Sequence, residues 1–535
     1  MASAGLARRF LSVGLLLVIL SPAAYVAWQF RDMPHLGYRW DDSIYWVCAK
    51  SLAEGNGYRI LSLPEQPYQT KYPPLFPWLL SLVWRFRPDF PKNLPWAMLL
   101  VWLMLPVYLL LARRLFSELG FGWGYGWILC ALLALNPWVV LNSLGLMSEV
   151  LFSCLALVSL ILAAHAGKPN SGLWRALLAG SVAGAAYLTK SSGLALLLLA
   201  ACYWFRRQRK QAVLFAVGML PALVSWTLWA KTHQISTTDL NLLYYTDYIR
   251  FHLLSFSWGD VPLLIWKNLT SIFVSIGGLH LMGVATSFWG ESFRAVVAVA
   301  SIVGLVGLFK RVGMFPYGWF LVAHLLLLLA FHVLPGDPHE RHMFPVLAIM
   351  LAGLSLAVCQ TVRGLGKLLR ASGVGQLALG GLLSAGLGCL AWVFVLSNSW
   401  FLYHLPTSLA TTRESLAEIR AAGAWISRNT PADAQVLWEY RDVIGYFYSS
   451  RKGRSMFIPP KLHYHNDREG TFRLMASLVD FMRAYHLRYL VVQRYEVTGT
   501  SLDREGLRYA RKIVATSPEL RVAFRVGRTT VYALK

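Results

Sequence analysis

Charged residues are scarce in this sequence of 535 residues: only 14% are charged, whereas 56% are hydrophobic. Such a composition excludes an ordinary soluble domain and a disordered chain, and it is typical of a polytopic membrane protein. The formal net charge of +24 comes largely from Lys and Arg that cluster in short loops between apolar runs. Because basic loops of this kind orient a protein in the membrane, we expect no nucleic-acid partner.

Two kinds of short motif are also missing. The six cysteines are scattered, and five of them lie within apolar runs, so they form neither a disulfide framework nor a paired-cysteine metal motif. The sequence has no glycine-rich fingerprint for phosphate or dinucleotide binding. A nucleotide-sugar therefore has no obvious binding site.

Long apolar runs, by contrast, fill most of the chain. The first extends from Met1 to about Trp28, and its length favours an uncleaved membrane anchor over a cleaved signal peptide. Ten further runs lie approximately at 94–112, 124–142, 146–165, 174–190, 192–205, 211–230, 294–309, 314–333, 343–361 and 376–397. We predict about eleven spans, within a range of roughly 10 to 13, and the two runs between 174 and 205 are short enough to be tilted or broken.

The basic residues predict the topology. With a cytoplasmic N-terminus, every predicted inner loop obeys the positive-inside rule. The basic residues of these loops are Arg113, Arg114, Lys168, Arg175, Arg206, Arg207, Arg209, Lys210, Lys310, Arg311, Arg363, Lys367 and Arg370. A full span at 262–290 would place the Lys310–Arg311 pair outside, so we interpret that stretch as interfacial or re-entrant.

The predicted outer face carries long polar segments. The loop from about Lys231 to Gly290 is rich in aromatic residues, which suits helices that lie in the headgroup zone. Beyond about Ser399 the pattern changes to one helix, two short buried strands and a closing hairpin. The chain thus divides into a membrane domain, 1–398, and an extracytoplasmic α/β domain, 399–535. The second domain could bind the acceptor, clamp the active-site loop, contact a partner or simply add stability.

The outer loop 31–77 is the predicted location of the chemistry. It places Asp41 and Asp42 near the outer end of a span, followed by Lys71 and a Tyr-Pro-Pro turn. A carboxylate near a membrane is costly unless it is solvated or paired, and one that faces a cavity can act as a general base. The alternative is that both acids are solvated or cap the helix that follows them.

Several stretches resemble a known superfamily. They are DDSIYWVCAKSLAEGNGY and KYPPLFPWLLSL in the first loop, then SLGLMSEVLF, GAAYLTKSSGL and ERHMFPVLAIM. Together they resemble the polyprenyl-phosphate-dependent glycosyltransferases of the GT-C superfamily, which include protein O-mannosyltransferases and lipid A aminoarabinose transferases. The matches extend over residues 10 to 400, and the first loop is the most specific of them.

The resemblance implies roles for individual residues. The expected catalytic acids, of which one is the base and the other its support, are Asp41 and Asp42. The cations expected to bind the donor phosphate are Lys71, Lys190 and Arg341. The residues expected to contact donor or acceptor are Glu149, Tyr72 and His342.

Each assignment has a plainer alternative. Lys71 could be a solvated loop lysine, and Arg341 could mark the membrane surface. Glu149 could cap a helix or form a structural ion pair. Lys190 lies in an apolar stretch, where a lysine is expensive, and this favours a function over snorkelling to the surface.

A metal site is left open. The residue types of Asp337, His339, Glu340 and His342 bind divalent metals, but two prolines and a glycine make this segment a turn. Some members of the superfamily use a metal beside the first-loop acid. In the aminoarabinose branch a Glu precedes the Lys of the loop, whereas here Thr70 does. We assign no metal ligand, although a divalent metal is possible and His252 is a conceivable partner.

The expected function is that of an inverting glycosyltransferase, transferring a hexosyl or a pentosyl group. It would move a sugar from a polyprenyl-phosphate donor to a glycan, lipid or protein acceptor on the outer face of a bacterial inner membrane. A transporter or flippase is the first alternative and would place charged residues at mid-membrane depth in two related halves. A non-catalytic membrane scaffold is the second.

Overall fold

The computed structural model describes residues 2–168, 171–282, 288–331, 339–371, 402–494 and 500–535, with scattered positions between 381 and 399. Two regions can be distinguished within them. Helices dominate up to residue 371, and a small mixed sheet with its own helices follows residue 402.

The helices of the first region are α1 to α18. Their bounds are Ala2–Gln29, Asp41–Ala53, Leu75–Phe86, Leu94–Trp102, Met104–Glu118, Trp123–Ala134, Pro137–Leu144, Glu149–Ala166, Trp174–Thr189, Leu198–Phe205, Arg209–His233, Leu240–Thr246, Tyr248–Ser255, Val261–Gly278, Phe288–Val312, Tyr317–Phe331, His339–Met343 and Leu347–Ala371. Short 3₁₀ turns lie at Ser191–Leu197, Trp258–Asp260 and Phe344–Val346.

The number of possible spans is lower than the sequence predicts. Seven helical segments of the described chain are long and apolar enough to cross a membrane, or eight if the bent pair α6 and α7 counts as one span. The expectation of about eleven is therefore not confirmed. Three of the expected runs form apolar or small-residue helices that are too short to pass by themselves, Trp174–Thr189, Ser191–Phe205 and Tyr317–Ala330. The run at 376–397 lies largely outside the described residues.

Helix α14 lies within one of these seven segments, so the interfacial or re-entrant interpretation of this stretch stays a prediction. At its first end Asp260 accepts a hydrogen bond from His465 of the C-terminal region at 2.7 Å. Its last turn packs closely on α15, where a Cβ on Gly277 would lie 2.1 Å from the carbonyl oxygen of Arg294. At the next residue, Gly278, a Cβ would lie 2.3 Å from Glu340 in α17. The helix therefore contacts a candidate span as well as the short helix that carries Arg341.

Small residues let neighbouring helices of the membrane domain approach closely. A Cβ on Gly180 in α9 would lie 2.0 Å from the carbonyl oxygen of Phe215 in α11. A Cβ on Gly218 would lie 2.4 Å from the carbonyl oxygen of Leu177. Close backbone contact of this kind replaces the hydrophobic effect as the source of helix association in lipid.

The C-terminal region is an α/β unit. Its strands β1 to β5 are Gln435–Trp438, Gly453–Ser455, Leu487–Gln493, Leu520–Val526 and Thr529–Leu534, in the sheet order β2-β1-β3-β5-β4. Strand β1 pairs in parallel with β2 and β3, whereas β5 is antiparallel to β3 and β4. The predicted helix, two buried strands and closing hairpin are confirmed. The helices, α19 to α24, are Thr407–Asn429, Asp442–Ser449, Pro460–Tyr464, Arg468–Ala476, Leu478–Ala484 and Ser501–Thr516.

Candidate active site

Four charged side chains from distant parts of the chain meet in one network. Arg341 contacts Asp41 through Nη2 and donates from Nε to Glu149 Oε1 at 2.9 Å. Lys190 Nζ donates to the same Glu149 oxygen at 2.8 Å. We refer to Asp41, Glu149, Lys190 and Arg341 as the charged quartet. All four are among the site residues that the sequence predicts.

Each member of the quartet lies at or next to the end of a helix. Asp41 is the first residue of α2, and Glu149 is the first residue of α8. Lys190 directly follows the last residue of α9. The positive end of a helix dipole favours a carboxylate, and the negative end favours a cation. Helix polarity therefore stabilises these three charges where they lie.

Arg341 belongs to the short helix α17, which Pro345 in the following 3₁₀ turn brings to an end. The residue is buried, with only 6% of its surface exposed. It therefore does not mark the membrane surface. By bonding two carboxylates with different nitrogens, it links the outer loop to α8. Removing one partner of such a buried pair is strongly destabilising, because an uncompensated charge is left behind.

Glu149 is the most deeply buried member of the quartet. Its side chain is fully buried, and Oε1 alone accepts from both cations. The second oxygen, Oε2, has no hydrogen-bond partner among the described residues. Both cations are thus held on one side of this carboxylate.

Two tyrosines extend the network on the side of the outer loop. The hydroxyl of Tyr72 donates to Asp41 Oδ1. The ring of Tyr72 packs edge-on against Tyr45 at 5.1 Å between centroids, and the Tyr45 hydroxyl lies 3.3 Å from Ser148 Oγ. Asp41 therefore has Arg341 on one oxygen and Tyr72 on the other, which fixes the direction of both.

Lys71 lies next to the quartet without belonging to it. Its ammonium donates to the carbonyl oxygen of Tyr244 at 2.9 Å. It also lies over the rings of Tyr244, Tyr248 and Tyr72, at 4.1, 5.0 and 4.8 Å from their centroids. Cation–π contacts of this kind attract an ammonium and fix its position. The alternative of a freely solvated loop lysine is wrong.

Asp42 faces away from the quartet. Both of its carboxylate oxygens accept from the backbone N–H of Gly37 at 3.1 Å, and Oδ1 accepts from its neighbour Ser43 at 2.7 Å. The side chain is fully buried, and burial raises its pKa from 3.8 to about 6. Asp42 thus organises the loop before α2, and its geometry does not suit the role of alternative base.

His342 and its neighbours do not form a metal site in the part of the chain that the structure describes. There, no group of three or more His, Cys, Asp or Glu side chains is arranged to hold an ion. His342 lies within electrostatic reach of Glu149, and its backbone carbonyl accepts from His324 at 2.8 Å. His252 packs edge-on against Tyr248 at 4.2 Å. Asp337 lies outside the described residues.

Comparisons with solved structures identify the fold of this chain. No family model matches the chain, and no curated protein does either. The crystal structure of ArnT from Cupriavidus metallidurans in the apo state aligns over 100% of this chain and 98% of its own, with a TM-score of 0.51 and 13% identity. The Archaeoglobus fulgidus oligosaccharyltransferase in the apo form aligns over 89% and 69%, with a TM-score of 0.50 and 14% identity. The chain has the GT-C fold. It is an integral membrane protein.

Asp41, Glu149, Lys190 and Arg341 lie in the short motifs that the sequence analysis singles out. Tyr244, which holds Lys71, and the C-terminal Arg441, which contacts the loop before Asp41, do not. The aromatic pattern around Tyr244 predicts only a helix in the headgroup zone. No local sequence signal distinguishes Arg441 from the other arginines of the C-terminal region.

Proposed function

We propose that this protein is an inverting glycosyltransferase that uses a polyprenyl-phosphate-linked sugar as its donor at the outer face of the membrane. One observation supports this most directly. Two carboxylates and two cations, of which Glu149 and Arg341 are buried, meet at helix ends in a chain with the GT-C fold. Clustered ionisable groups with little exposure to solvent are candidates for functional sites.

The proposed reaction is a single displacement. An oxygen of the acceptor forms a bond to the anomeric carbon while the bond from that carbon to the phosphate oxygen breaks, and its electron pair leaves with the lipid phosphate. Asp41 takes the proton of the acceptor hydroxyl. Attack from the face opposite the leaving group inverts the anomeric centre. The developing charge falls on the phosphate, which positioned cations stabilise.

The cations of the quartet suit that leaving group. Arg341 can offer parallel N–H groups to phosphate oxygens, and Lys190 adds a point charge beside it. Lys71 is a further candidate partner of the phosphate, because its ammonium lies over the ring of Tyr72, whose hydroxyl contacts Asp41. Glu149 keeps the two cations in place.

The charges of the quartet also suggest how Asp41 becomes available. Two carboxylates and two cations sum to zero, so a phosphodiester adds an unbalanced negative charge. In this arrangement Arg341 holds Asp41. A donor phosphate that takes over the guanidinium releases Asp41 from its ion pair. The base would then be free only when a donor is bound, which limits wasteful hydrolysis.

The class of donor is proposed on two grounds. The sequence has no fingerprint for a nucleotide, and a lipid-linked sugar can reach an outer site from within the bilayer. The Archaeoglobus fulgidus protein AglB has been seen in complex with an inhibitory peptide and a dolichol-phosphate, in a structure with a TM-score of 0.50 to this chain. We further propose a cytoplasmic N-terminus and an extracytoplasmic C-terminal domain in a bacterial inner membrane.

The test is transfer by purified protein. Protein in detergent or liposomes is incubated with a panel of polyprenyl-phosphate hexoses and pentoses, radiolabelled in the sugar, and with glycan, lipid and peptide acceptors. We expect one donor to release lipid phosphate and to label one acceptor with inverted configuration. Asp41→Asn is the matched inactive control.

Two results would contradict the proposal. Absence of lipid-phosphate release from every donor in the panel would exclude a transferase of this class. Movement of the lipid across liposomes with the sugar–phosphate bond intact would indicate a flippase instead.

A further inference from the structure

A turn of the C-terminal region contacts the loop that precedes Asp41. Arg441 is buried, with its Nη2 donating to the carbonyl oxygen of Pro34 at 3.0 Å and also to that of Leu36. Its guanidinium carbon lies 4.5 Å from the centroid of the Tyr38 ring. The preceding residue, Tyr440, donates from its hydroxyl to the carbonyl oxygen of Tyr38. Consecutive C-terminal residues therefore hold the backbone at 34–38.

Gly37 transmits this contact to the first turn of α2. Its φ of +87° suits glycine, and a Cβ there would lie 2.7 Å from the side chain of Ile444 in α20. Its N–H donates to both oxygens of Asp42, the residue after Asp41. The position of Asp42, and with it the start of the helix, is thus tied to the C-terminal turn.

Trp40, directly before Asp41, is held in a strained conformation. Its φ is +55° and its ψ is −57°, a combination that a large side chain rarely adopts. Three tyrosine rings pack around its indole: Tyr244 at 5.6 Å, Tyr245 at 6.4 Å and Tyr440 at 6.0 Å between centroids. Strain of this kind persists only where surrounding contacts enforce it, and one of these rings comes from the C-terminal region.

The cost of burying Arg441 also indicates a positioning role for this residue. Its Nε and Nη1 have no hydrogen-bond partner among the described residues, so only one of three nitrogens is satisfied. No carboxylate forms an ion pair with it there, although Asp42 is near enough for electrostatic attraction. A buried, incompletely bonded cation is a poor source of stability. Its contacts are concentrated on the segment that sets the direction of Asp41.

We propose that Arg441 is a positioning residue for glycosyl transfer, through which the C-terminal domain fixes the loop 34–40 and thereby orients Asp41 toward the acceptor. This inference rests on the proposed function of Asp41 as the base. It assigns the C-terminal domain a part in the turnover step and none in holding the donor phosphate, which Arg341 and Lys190 bind from the membrane domain.

The experiment compares two buried arginines of the C-terminal domain. Arg441→Met removes the contact with the loop while keeping side-chain volume. Arg454→Met is the matched control, because Arg454 also joins the domain to the outer loops, through Glu65 and Asp239, but far along the chain from Asp41. The full chain in detergent is used throughout, with transfer kinetics, binding of a polyprenyl phosphate and hydrogen exchange of the peptide that contains Gly37.

We expect Arg441→Met to lower kcat by about 10- to 100-fold, since a misplacement of about 1 Å can cost that much. The KM for the donor and the affinity for polyprenyl phosphate should stay within about twofold, because the phosphate partners are untouched. Exchange at Gly37 should rise in Arg441→Met and stay unchanged in Arg454→Met, whose kcat should fall less than about threefold. A folding defect would instead lower lipid binding as well.

Three results would overturn the inference. The first is an unchanged kcat in Arg441→Met. The second is an equal loss of kcat in both variants, which would indicate general domain docking. The third is unchanged exchange at Gly37. If the wild-type protein transfers no sugar from any donor, the proposed function fails, and the exchange measurement alone decides whether Arg441 holds this loop.

Discussion

Asp41 and Asp42 are neighbours in the sequence, yet they take part in two different structures. Asp41 contacts Arg341 and Tyr72, which belong to the membrane domain and the outer loop. Asp42 is turned to Gly37 and lies near Arg441 of the C-terminal domain. Successive side chains on a helix point about 100° apart. The first turn of α2 can therefore direct one acid toward the membrane domain and the other toward the C-terminal domain. In the proposed reaction Asp41 contacts the substrates, whereas Asp42 fixes the loop that carries Asp41.

The sharpest test of this difference is the pair Asp41→Asn and Asp42→Asn. Loss of a general base costs about 10²- to 10⁴-fold in rate, so we expect Asp41→Asn to lose at least about 1000-fold in kcat. Asn at position 42 can still accept the hydrogen bond from the Gly37 N–H. We therefore expect Asp42→Asn to lower kcat by about 10-fold or less. Initial rates of lipid-phosphate release measure both. Equal losses would contradict the division of roles.

Arg341→Met tests the residues that are proposed to bind the donor phosphate. It removes a cation and leaves Asp41 and Glu149 facing Lys190 alone, so we expect the affinity for a polyprenyl phosphate to fall about 100-fold. Arg413→Met is the control, because Arg413 forms a half-exposed ion pair with Asp32 away from the quartet. Binding is measured by titration in detergent. Equal affinity in the two variants would remove Arg341 from the phosphate site.

Glu149→Gln should change binding in the opposite direction. The quartet would carry a net positive charge, so we expect about 10-fold tighter binding of a polyprenyl phosphate together with slower turnover. Glu118→Gln, which removes an acid that pairs with Arg114 and contacts Tyr317, is the control. Titration and product-inhibition kinetics report the two effects. Weaker binding in Glu149→Gln would show that the carboxylate itself helps to hold the ligand.

A separate prediction concerns stability and Asp42. The folded protein loses the proton of Asp42 near pH 6, whereas the unfolded chain has lost it near 3.8. Stability supplied by the protonated, buried carboxyl is therefore lost as the pH rises through about 6. Relative to Asp42→Asn, the wild-type free energy of unfolding should fall by about 3 kcal/mol between about pH 4 and 7.

Thermal unfolding of both proteins in detergent measures that difference, because other titrating groups, such as Asp442, cancel between them. A gap between wild type and Asp42→Asn that does not vary with pH would indicate that Asp42 is solvated. The same measurement in Arg441→Met should move the transition to higher pH, since the attraction of that cation for the carboxylate is lost.

The sequence predicts the fold class and names charged residues that the structure brings together, but it does not predict how they pair. Glu149, Lys190 and Arg341 each stand out because an isolated charge in an apolar context is costly, and that cost requires a partner. The partners themselves are hundreds of residues apart, so only a resemblance brings them together in advance. Asp41 and Asp42 point in different directions because they are successive residues of a helix, and the positive φ of Trp40 directly before them has no local signal in the sequence.

The predicted count of about eleven spans is not confirmed, and two of the apolar runs show one reason. The runs 174–190 and 192–205 are hydrophobic by composition, but the helix ends at Thr189, and Lys190 contacts Glu149 from the break. Counting residues against membrane thickness misjudges segments that are interrupted in this way.

The distance along the chain between the members of the charged quartet has a consequence for biosynthesis. Glu149 enters the membrane when Lys190 is still about 40 residues behind it and Arg341 almost 200 behind. During translation the acid is therefore synthesised before either of its cations exists. Because an unpaired carboxylate in the membrane is costly, we expect the nascent protein to keep the start of α8 hydrated, or its glutamate protonated, until the later helices have been inserted. The charges of the quartet balance only after α17, which carries Arg341, has reached its place.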